Sequence, residues 1–488
     1  MKKHHPNMPA ETGGALRHAA CLLAAACLAA CGGNNGSAVP LPAVEAIVAA
    51  GAPLNATPLP LQTYGYVEQE FQVRGRANRY RMPDAMGNAQ LIDAGHPYAT
   101  RVLVRRPADP ARFNGTVVVE WLNVTTGQDI DFIFAATREL LLREGYAWVG
   151  VSAQRAGVEA LARWNPQRYG TLSVAASNLD PASGAEIDPA AFPAVGGDVL
   201  GWDVYSQVGA AIAKGTSPLM GGLTVKRIIA AGESQSTARL TTYHNSIQPL
   251  HRVYDGFFLY DRGGPMRKDT GVKVVGIGTE FMNLFAGPPP ADTADTRWWE
   301  IAGAAHVSLA EVADYLDPVI LRDGALRAPN GAALSLSDAV NGGNCAVTPI
   351  WSRVPNADIL KAGLKGLDAW IGGGPAPAGA ARIAMAGPGR MLRDAEGRVQ
   401  GGVRTAAYDA PVAVNYGVNA GGGFCALAGY HLDYTPAEMC RRYGGKQAYV
   451  AKVRALAEAN VKDGMLLPEE AKRTVDEAQG RSFDCAGG

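Results

Sequence analysis

The stretch Val225-Lys-Arg-Ile-Ile-Ala-Ala-Gly-Glu-Ser-Gln-Ser236 carries the signal that decides the fold. Residues 225–231 form an apolar run of β type, Gly232 follows it, and a helical pattern covers about 235–246. The stretch therefore predicts a strand, a sharp turn at Ser234 and a helix in direct succession.

Similar units lie on both sides of this stretch. Alternating or continuous apolar runs predict strands at 66–73, 99–105, 116–121, 146–152, 252–259, 272–278 and 297–302. Helical periodicity predicts helices at 131–144, 201–214, 356–371, 446–460 and 468–479. Strands that alternate with helices at this spacing predict a mostly parallel sheet with helices on both faces, and the first two alternating strands would form an antiparallel edge.

The N-terminus has the pattern of an export signal. Residues 1–30 combine a basic start with a short apolar segment at 19–30, and Leu28-Ala-Ala-Cys31 resembles a bacterial lipobox with Cys31 as the lipidated residue. Gly32, which is not acidic, is typical of lipoproteins anchored to the outer membrane on its periplasmic or surface face. The alternative is cleavage near Ala30 and release as a periplasmic or secreted protein.

Composition shifts predict four segments. After the signal peptide at 1–30, a flexible linker covers 31–60, an α/β core covers 61–372, and a C-terminal extension packed on the core covers 373–488. Residues 155–200 are rich in Pro, Gly, Ala, Asn and Asp and predict an insertion in the core, as part of a lid.

Seven cysteines divide between the leader and the mature chain. Four remain after residue 31, at Cys345, Cys425, Cys440 and Cys485. In an oxidising compartment they predict two disulfides, with three connectivities open. They show no CxxC spacing, so no zinc or other metal site is expected.

Charge and motifs argue against several other classes of protein. The chain has 45 Lys and Arg against 45 Asp and Glu, without a basic run, so we expect no nucleic-acid partner. It contains no P-loop and no complete GxGxxG after a strand, so we expect no nucleotide and no other cofactor.

Ser234 is the candidate nucleophile. A serine on a tight strand-to-helix turn is exposed above the sheet, and small residues two before and two after it let strand and helix approach. Gly232 meets this requirement, whereas Ser236 stands where a glycine is usual.

A nucleophilic serine needs a general base, and where the serine lies on such a strand-to-helix turn of a parallel sheet, the histidine follows it in the chain, in a loop after a late strand. His244 lies within the helix that leaves the turn, His251 precedes a strand at the wrong sheet end, and His431 lies in the extension. His306 follows strand 297–302 through Gly303-Ala-Ala, so His306 is the predicted general base.

The third member of the catalytic triad, after the serine and the histidine, should be a carboxylate at the end of an intermediate strand. Glu280 follows strand 272–278, and Asp261 follows the strand before it. The strand just before the histidine strand donates the acid more commonly, so Glu280 is the prediction and Asp261 the alternative. Two backbone N–H groups should form the oxyanion hole, one from Gln235 and one from the loop at Asn123 and Val124, where the Asn123 side chain could also help.

Six segments together resemble a group of bacterial α/β-hydrolase-domain proteins. They are VVVEWLNV (117–124), EGYAWVGVSAQ (144–154), GESQS (232–236), GTEFMNL (278–284), WEIAGAAH (299–306) and RDAEGRVQGGVRTAAYDAPVAVNYG (393–417), and the likeness covers roughly 60–485. The resemblance implies the α/β-hydrolase fold, a carboxylic ester hydrolase, and triad positions at Ser234, Glu280 and His306.

Two functional hypotheses follow. The first is hydrolysis of a small-molecule ester through an acyl-enzyme on Ser234, with the acyl and alcohol groups left open. The second is a non-catalytic surface lipoprotein that binds a ligand or partner on a hydrolase scaffold, because a fold does not fix a function.

Overall fold

A nine-stranded mixed sheet forms the centre of the computed structural model, which describes residues 39–174, 198–215, 217–261, 264–285, 289–483 and 485. The strands of this sheet are β1 (Ala43–Ala46), β2 (Tyr66–Arg81), β3 (Gln90–Pro107), β4 (Thr116–Trp121), β5 (Ala147–Val151), β6 (Arg227–Glu233), β7 (Gly256–Tyr260), β8 (Lys273–Gly278) and β9 (Thr296–Glu300). Their order in the sheet is β1-β2-β3-β5-β4-β6-β7-β8-β9.

Strand direction divides the sheet into two parts. The pairs β1–β2, β2–β3 and β3–β5 are antiparallel, and every pair from β5 through β4 to β9 is parallel. The predicted parallel sheet with an antiparallel edge is therefore confirmed. Because the parallel strands all end at one edge, the loops that follow β4, β6, β7, β8 and β9 meet there.

Helices cover both faces of the sheet. The helices up to the core's end are α1 (Phe132–Glu144), α2 (Arg155–Trp164), α3 (Pro166–Tyr169), α4 (Gly201–Ala213), α5 (Gln235–Thr242), α6 (Gln248–His251), α7 (Glu280–Phe285), α8 (Leu309–Glu311), α9 (Asp317–Asp323), α10 (Leu336–Asn341) and α11 (Asn356–Ile371). Short 3-10 turns lie at Leu61–Tyr64, Pro110–Arg112 and Pro218–Met220, and single π-helical turns at Tyr243–Ile247 and Val312–Leu316.

The two faces of the sheet carry separate apolar cores. On one face α1 and α11 pack around Trp299 and Leu364, and on the other α4 and α5 pack around Trp121 and Leu240. Strands β4, β5 and β7 are buried along their whole length, as expected for strands covered on both faces.

The described part of the C-terminal segment contains two small antiparallel strand pairs and five helices. These are β10 (Met385–Gly387), β11 (Arg390–Met391), β12 (Ala413–Tyr416), β13 (Tyr430–Asp433), α12 (Ala406–Asp409), α13 (Cys425–Ala428), α14 (Pro436–Tyr443), α15 (Lys446–Lys462) and α16 (Pro468–Gly480). It contacts the main sheet beyond β9, where Val403 forms a parallel bridge with Ile301. The segment therefore extends the sheet edge that carries the His306 loop.

The prediction of a flexible linker at 31–60 is wrong in part. Ala43–Ala46 forms β1 against residues 71–74 of β2, and Leu54 and Asn55 are buried. Hydrogen bonds between main chains hold this segment along the open edge of β2. Its residues have low β-propensity, so the sequence does not predict this strand. Residues 1–38, which include Cys31, and residues 175–197 of the predicted insertion lie outside the described residues.

Two disulfides select one of the three connectivities. Cys345 pairs with Cys425, and Cys440 pairs with Cys485. The first joins the loop after α10 to the start of α13, and the second joins α14 to the end of the chain. Both therefore lie in the part of the chain that follows the His306 loop, and the second lies within the predicted extension.

Candidate active site

Ser234 lies on a strained turn between β6 and α5. Its backbone has φ 52° and ψ −114°, outside the regions that side chains prefer, and its N–H donates to the Tyr260 carbonyl at 2.9 Å. Such a conformation costs about 1–3 kcal/mol and persists only where the surroundings enforce it. This is the geometry that exposes a nucleophilic serine at the end of a parallel strand.

The residues around Ser234 explain how the turn is packed. A Cβ on Gly232 would lie 2.9 Å from Leu240 Cδ1 and 3.1 Å from Ser236 Cβ, so position 232 accepts only glycine without a shift. The Ser236 side chain is fully buried at this crossing. The Thr237 hydroxyl donates to the Gly232 carbonyl at 2.6 Å and contacts the Tyr260 carbonyl at 2.9 Å, which fixes the start of α5.

His306 reaches the nucleophile from the loop after β9. Its Nε2 lies 2.8 Å from Ser234 Oγ, and its backbone carbonyl accepts a hydrogen bond from the Tyr260 hydroxyl at 2.9 Å. Asn356 donates to the neighbouring Ala305 carbonyl at 2.7 Å, and the Phe281 ring lies 4.7 Å from the imidazole centre. The loop and the ring are thus held from three sides, and the predicted Ser234–His306 pair is formed.

The carboxylate that contacts His306 is Asp261. Its Oδ2 bonds His306 Nδ1, while Thr279 donates its N–H to Oδ1 at 2.7 Å and its hydroxyl to Oδ2 at 2.8 Å. Asp261 is fully buried and follows β7 directly, with φ 52°. The prediction that Glu280 orients His306 is therefore wrong, and the alternative acid occupies that position.

Glu280 is buried, and the hydrogen bonds of its carboxylate go to groups other than the imidazole. Its Oε1 accepts the Gly303 N–H at 2.8 Å, and its Oε2 accepts from Arg393 at 2.8 Å. Burial raises the pKa of Glu280, and Arg393 is the largest opposing influence. Glu280 thus links the turn before His306 to the C-terminal segment. Its partner in that segment, Arg393, lies 113 residues further along the chain.

The predicted oxyanion-hole residues have different surroundings. Asn123 is committed elsewhere, because its N–H donates to Ile130 at 3.1 Å and its side-chain amide donates to Glu233 Oε2 at 2.8 Å and to the Glu233 carbonyl at 3.1 Å. The Asn123 side chain therefore does not suit the role. Val124 is the next residue of the same loop, and Gln235 is the first residue of α5.

Glu233, the residue before the nucleophile, is a member of the site that the sequence does not reveal. Its Oε1 lies 3.1 Å from His306 Nε2, and its side chain is 1% exposed. Burial raises the pKa of Glu233 to about 8, the His306 charge opposes the rise, and Asp261 and Glu311 add to it. The only sequence signal for this role is the position of an acidic residue inside the turn motif.

Three carboxylates therefore surround one imidazole. Burial alone would lower the pKa of His306, but Asp261, Glu233 and Glu311 outweigh it, and the pKa lies above the usual value. Burial also raises the pKa of Glu311 to about 7. The site is poised to stabilise a positive charge on the imidazole ring.

The other three histidines that follow Ser234 make different contacts. His244 contacts the Thr270 hydroxyl at 3.0 Å, His251 contacts the Ser206 hydroxyl at 2.7 Å, and His431 contacts the Trp351 carbonyl at 2.8 Å. Within the described ranges, no group of three or more His, Cys, Asp or Glu side chains is arranged to hold a metal ion. None of the described helices has the length and apolar character needed to cross a membrane.

A Ser-His-Asp relay above the carboxyl ends of parallel strands, with its serine on a strained strand-to-helix turn, defines the α/β-hydrolase class. The sequence model of the family described as "Alpha/beta hydrolase domain" matches residues 37–476. The chain belongs to this family, and the expected resemblance and fold class are confirmed.

Solved esterase structures share partial similarity with the chain. Esterase Est22 is 12% identical, with 43% of this chain and 64% of that chain covered at a TM-score of 0.22. A Rhizomucor miehei esterase is 9% identical, with coverage of 42% and 66% at 0.22, and the bacterial brefeldin A esterase is 12% identical, with coverage of 38% and 39% at 0.18. The chain thus spans about two thirds or less of each of these proteins. No curated protein matches the chain.

Proposed function

We propose that the protein is a serine hydrolase that cleaves carboxylic esters through an acyl-enzyme on Ser234. The observation that carries this proposal is the relay from Ser234 Oγ to His306 Nε2 at 2.8 Å, continued from Nδ1 to Asp261. In this relay Asp261, rather than Glu280, holds the imidazole in the tautomer whose Nε2 can accept the serine proton.

The reaction would proceed in two halves. Ser234 Oγ attacks the ester carbonyl carbon while its proton moves to His306 Nε2, and the C–O bond to the alcohol then breaks as His306 returns that proton to the leaving oxygen. Water attacks the acyl-enzyme with the same proton transfers, which releases the carboxylic acid and restores Ser234. The Asp261 carboxylate stabilises the imidazolium form in both halves.

The oxyanion that forms in each half needs donors. We assign this role to the backbone N–H groups of Gln235 and Val124, because Gln235 opens α5 and the Val124 N–H makes no hydrogen bond within the described part of the chain. The start of α5 also directs the positive end of its dipole at the developing charge.

The substrate class is a small-molecule ester, and the reaction as written requires neither a cofactor nor a metal. Support comes from the membership of the chain in the α/β-hydrolase domain family and from the position of Ser234, which is partly exposed beside the buried His306 and Asp261. Nucleic acid is not an expected partner, because the formal charges balance.

Hydrolysis of p-nitrophenyl esters that differ in acyl length tests this function. We expect saturable release of p-nitrophenol by the wild type and loss of about 10³-fold or more in kcat for Ser234→Ala. Ser236→Ala is the matched control, since it removes a second buried hydroxyl from the same turn. A wild type without activity on every ester, or an active Ser234→Ala, would overturn the proposal.

Export and lipid anchoring form a separate part of the proposal. We propose that the chain is exported and tethered to the outer membrane through lipidated Cys31, and two disulfides in the C-terminal part support an oxidising compartment. Metabolic labelling with an alkyne fatty acid should mark the wild type and not Cys31→Ser. Equal labelling of both proteins would exclude this anchor, and an unlabelled wild type would indicate the released form.

A further inference from the structure

Tyr260 contacts the main chains of both the nucleophile and the general base. It is the last residue of β7 and directly precedes Asp261. Its backbone carbonyl accepts the N–H of Ser234 at 2.9 Å, and its hydroxyl donates to the backbone carbonyl of His306 at 2.9 Å. One residue therefore connects the three members of the relay, which lie after three different strands.

The position of the Tyr260 hydroxyl is set by the packing of its ring. The side chain is fully buried and belongs to the apolar core on the face that α1 and α11 cover. Strand β8 separates β7 from β9 in the sheet, so the ring reaches from β7 to the loop after β9. A tyrosine side chain has few rotatable bonds, so close packing around it leaves the hydroxyl little freedom to move.

Asn356, the first residue of α11, fixes the direction of these hydrogen bonds. Its side-chain nitrogen lies 2.7 Å from the Ala305 carbonyl and 2.9 Å from the Tyr260 hydroxyl. Because a carbonyl only accepts, the amide group that faces Ala305 is the NH₂, and it donates to both oxygens. The Tyr260 hydroxyl accepts from Asn356, which leaves its single proton for the His306 carbonyl. Asn356 is fully buried, so this arrangement is shielded from water.

We propose that Tyr260 and Asn356 form one positioning unit, which holds the main chain of residues 305 and 306 so that His306 Nε2 stays within reach of Ser234 Oγ. The inference rests on the proposed role of this pair in ester hydrolysis. Within the described part of the chain, neither side chain is hydrogen-bonded to the Ser234 hydroxyl or to the imidazole, so both act through the backbone of the His306 loop. A misplacement of about 1 Å at a reacting group can lower a rate by about 10²-fold.

Other contacts hold the same loop on either side of residues 305 and 306. The Ser352 hydroxyl donates to the Gly303 carbonyl at 2.6 Å, and the Val307 N–H donates to the Leu427 carbonyl at 3.4 Å. If these contacts were sufficient, the Tyr260 hydroxyl would only satisfy a buried carbonyl, and its removal would lower stability without changing turnover. The two roles therefore predict different kinetic results.

Tyr260→Phe keeps the ring and removes the hydroxyl. With p-nitrophenyl acetate its kcat should fall by about tenfold to 10²-fold, while KM stays within about twofold because the substrate contacts are unchanged. Tyr66→Phe is the matched control, since the buried Tyr66 hydroxyl contacts the Leu141 and Tyr146 carbonyls at 2.7 and 2.8 Å, before β5 at the opposite edge of the sheet. Both substitutions should lower the melting temperature, but only Tyr260→Phe should lower kcat. A wild-type kcat in Tyr260→Phe, or an equal loss in Tyr66→Phe, would overturn the proposal.

Asn356→Leu tests whether the two residues act together. It keeps the branched shape of the side chain and removes both donated hydrogen bonds, so kcat should fall by about tenfold or more. Since both residues act through the same loop, the double variant with Tyr260→Phe should lose less than the product of the two single losses. Losses that multiply would show that the residues act independently, which contradicts a single positioning unit.

The His306 Nδ1 proton, followed by NMR, gives a readout that does not depend on turnover. Bound to Asp261, it should resonate far downfield in the wild type and in Tyr66→Phe, and it should move upfield or broaden in Tyr260→Phe. An unchanged resonance in Tyr260→Phe would refute the positioning role. Absence of ester hydrolysis by the wild type would refute the proposed function instead, and the resonance would still report on the His306 loop. If Tyr260→Phe fails to fold, Asn356→Leu carries the same test.

Discussion

Replacing Asp261 by asparagine separates the two carboxylates that could orient His306. The two oxygens of Asp261 accept three hydrogen bonds: Oδ1 from the Thr279 N–H at 2.7 Å, and Oδ2 from the Thr279 hydroxyl at 2.8 Å and from His306 Nδ1. In Asp261→Asn the carbonyl must remain on the Thr279 N–H, so the NH₂ takes the place of Oδ2. His306 Nδ1 must then accept a hydrogen bond from this NH₂ rather than donate one.

This tautomer change sets the size of the effect. With Nδ1 as an acceptor, the ring proton moves to Nε2, and Nε2 can no longer accept the proton of Ser234. Loss of the orienting carboxylate in a relay of this type lowers kcat by about 10³–10⁴-fold, which corresponds to about 4–5.5 kcal/mol. The Thr279 hydroxyl can rotate to accept from the new amide, so we expect the fold to survive.

Glu280→Gln is the matched comparison at the neighbouring buried carboxylate. Its carbonyl can keep the Gly303 N–H, but the ion pair with Arg393 is lost, which should cost about 1–3 kcal/mol of stability and less than about tenfold in kcat. Hydrolysis of p-nitrophenyl acetate and the melting temperature should be measured for both variants. If Glu280→Gln loses more activity than Asp261→Asn while it remains folded, the assignment of the acid is refuted.

Three further predictions concern the surroundings of the relay. Thr279→Val should lower kcat several-fold with little change in KM, because Asp261 loses one of its two hydrogen bonds from Thr279, and an unchanged kcat would show that the backbone N–H suffices. Gly232→Ala should lower both melting temperature and activity, because its Cβ would lie 2.9 Å from a side chain of α5, whereas Gly480→Ala meets no atom within 4 Å and should be neutral; equal melting temperatures would contradict the packing argument. The pKa of Glu311 is about 7 in the folded state and 4.5 in the unfolded state. Between these two pH values the folded state keeps a proton that the unfolded state has lost. The contribution of Glu311 to the free energy of unfolding therefore falls as the pH rises from 4.5 to about 7. The melting temperature of Glu311→Gln relative to the wild type should therefore increase from pH 5 to pH 8, and a constant difference would contradict this.

The parallel core could be predicted from the sequence because its strands are continuous apolar runs. Strand 116–121 and helix 356–371 are observed with the predicted bounds. The β2–β3 hairpin is longer than predicted, because residues 74–81 and 90–98 pair through their main chains while many of their side chains reach solvent. The helix after Ser234 continues to residue 251 through a π-helical turn, which has no simple periodic signature.

The sequence predicts those site residues whose role follows from their position relative to the strands and helices. Ser234 can be predicted because it lies between a strand and a helix, and His306 because it follows a late strand. Asp261 and Glu280 both follow parallel strands, so spacing alone could not separate them. The choice depends on Thr279, which holds Asp261 toward the imidazole, and on Arg393, which holds Glu280 away from it.

Other features depend on contacts that a single sequence does not display. The role of Glu233 requires knowing that a side chain inside the turn points at His306 rather than at solvent. The pairing of Cys345 with Cys425 and of Cys440 with Cys485 depends on how the C-terminal segment folds back. These features are tertiary, and no local propensity encodes them.

Active-site labelling with a fluorophosphonate tests the central claim most directly. The reagent should modify the wild type at one residue, and mass spectrometry of the digested protein should place the phosphonyl group on Ser234. Ser234→Ala should remain unlabelled, and His306→Ala should be labelled far more slowly, because the serine has lost its base. Absence of labelling in the wild type, or equal labelling of Ser234→Ala, would contradict the assignment of Ser234 as the nucleophile.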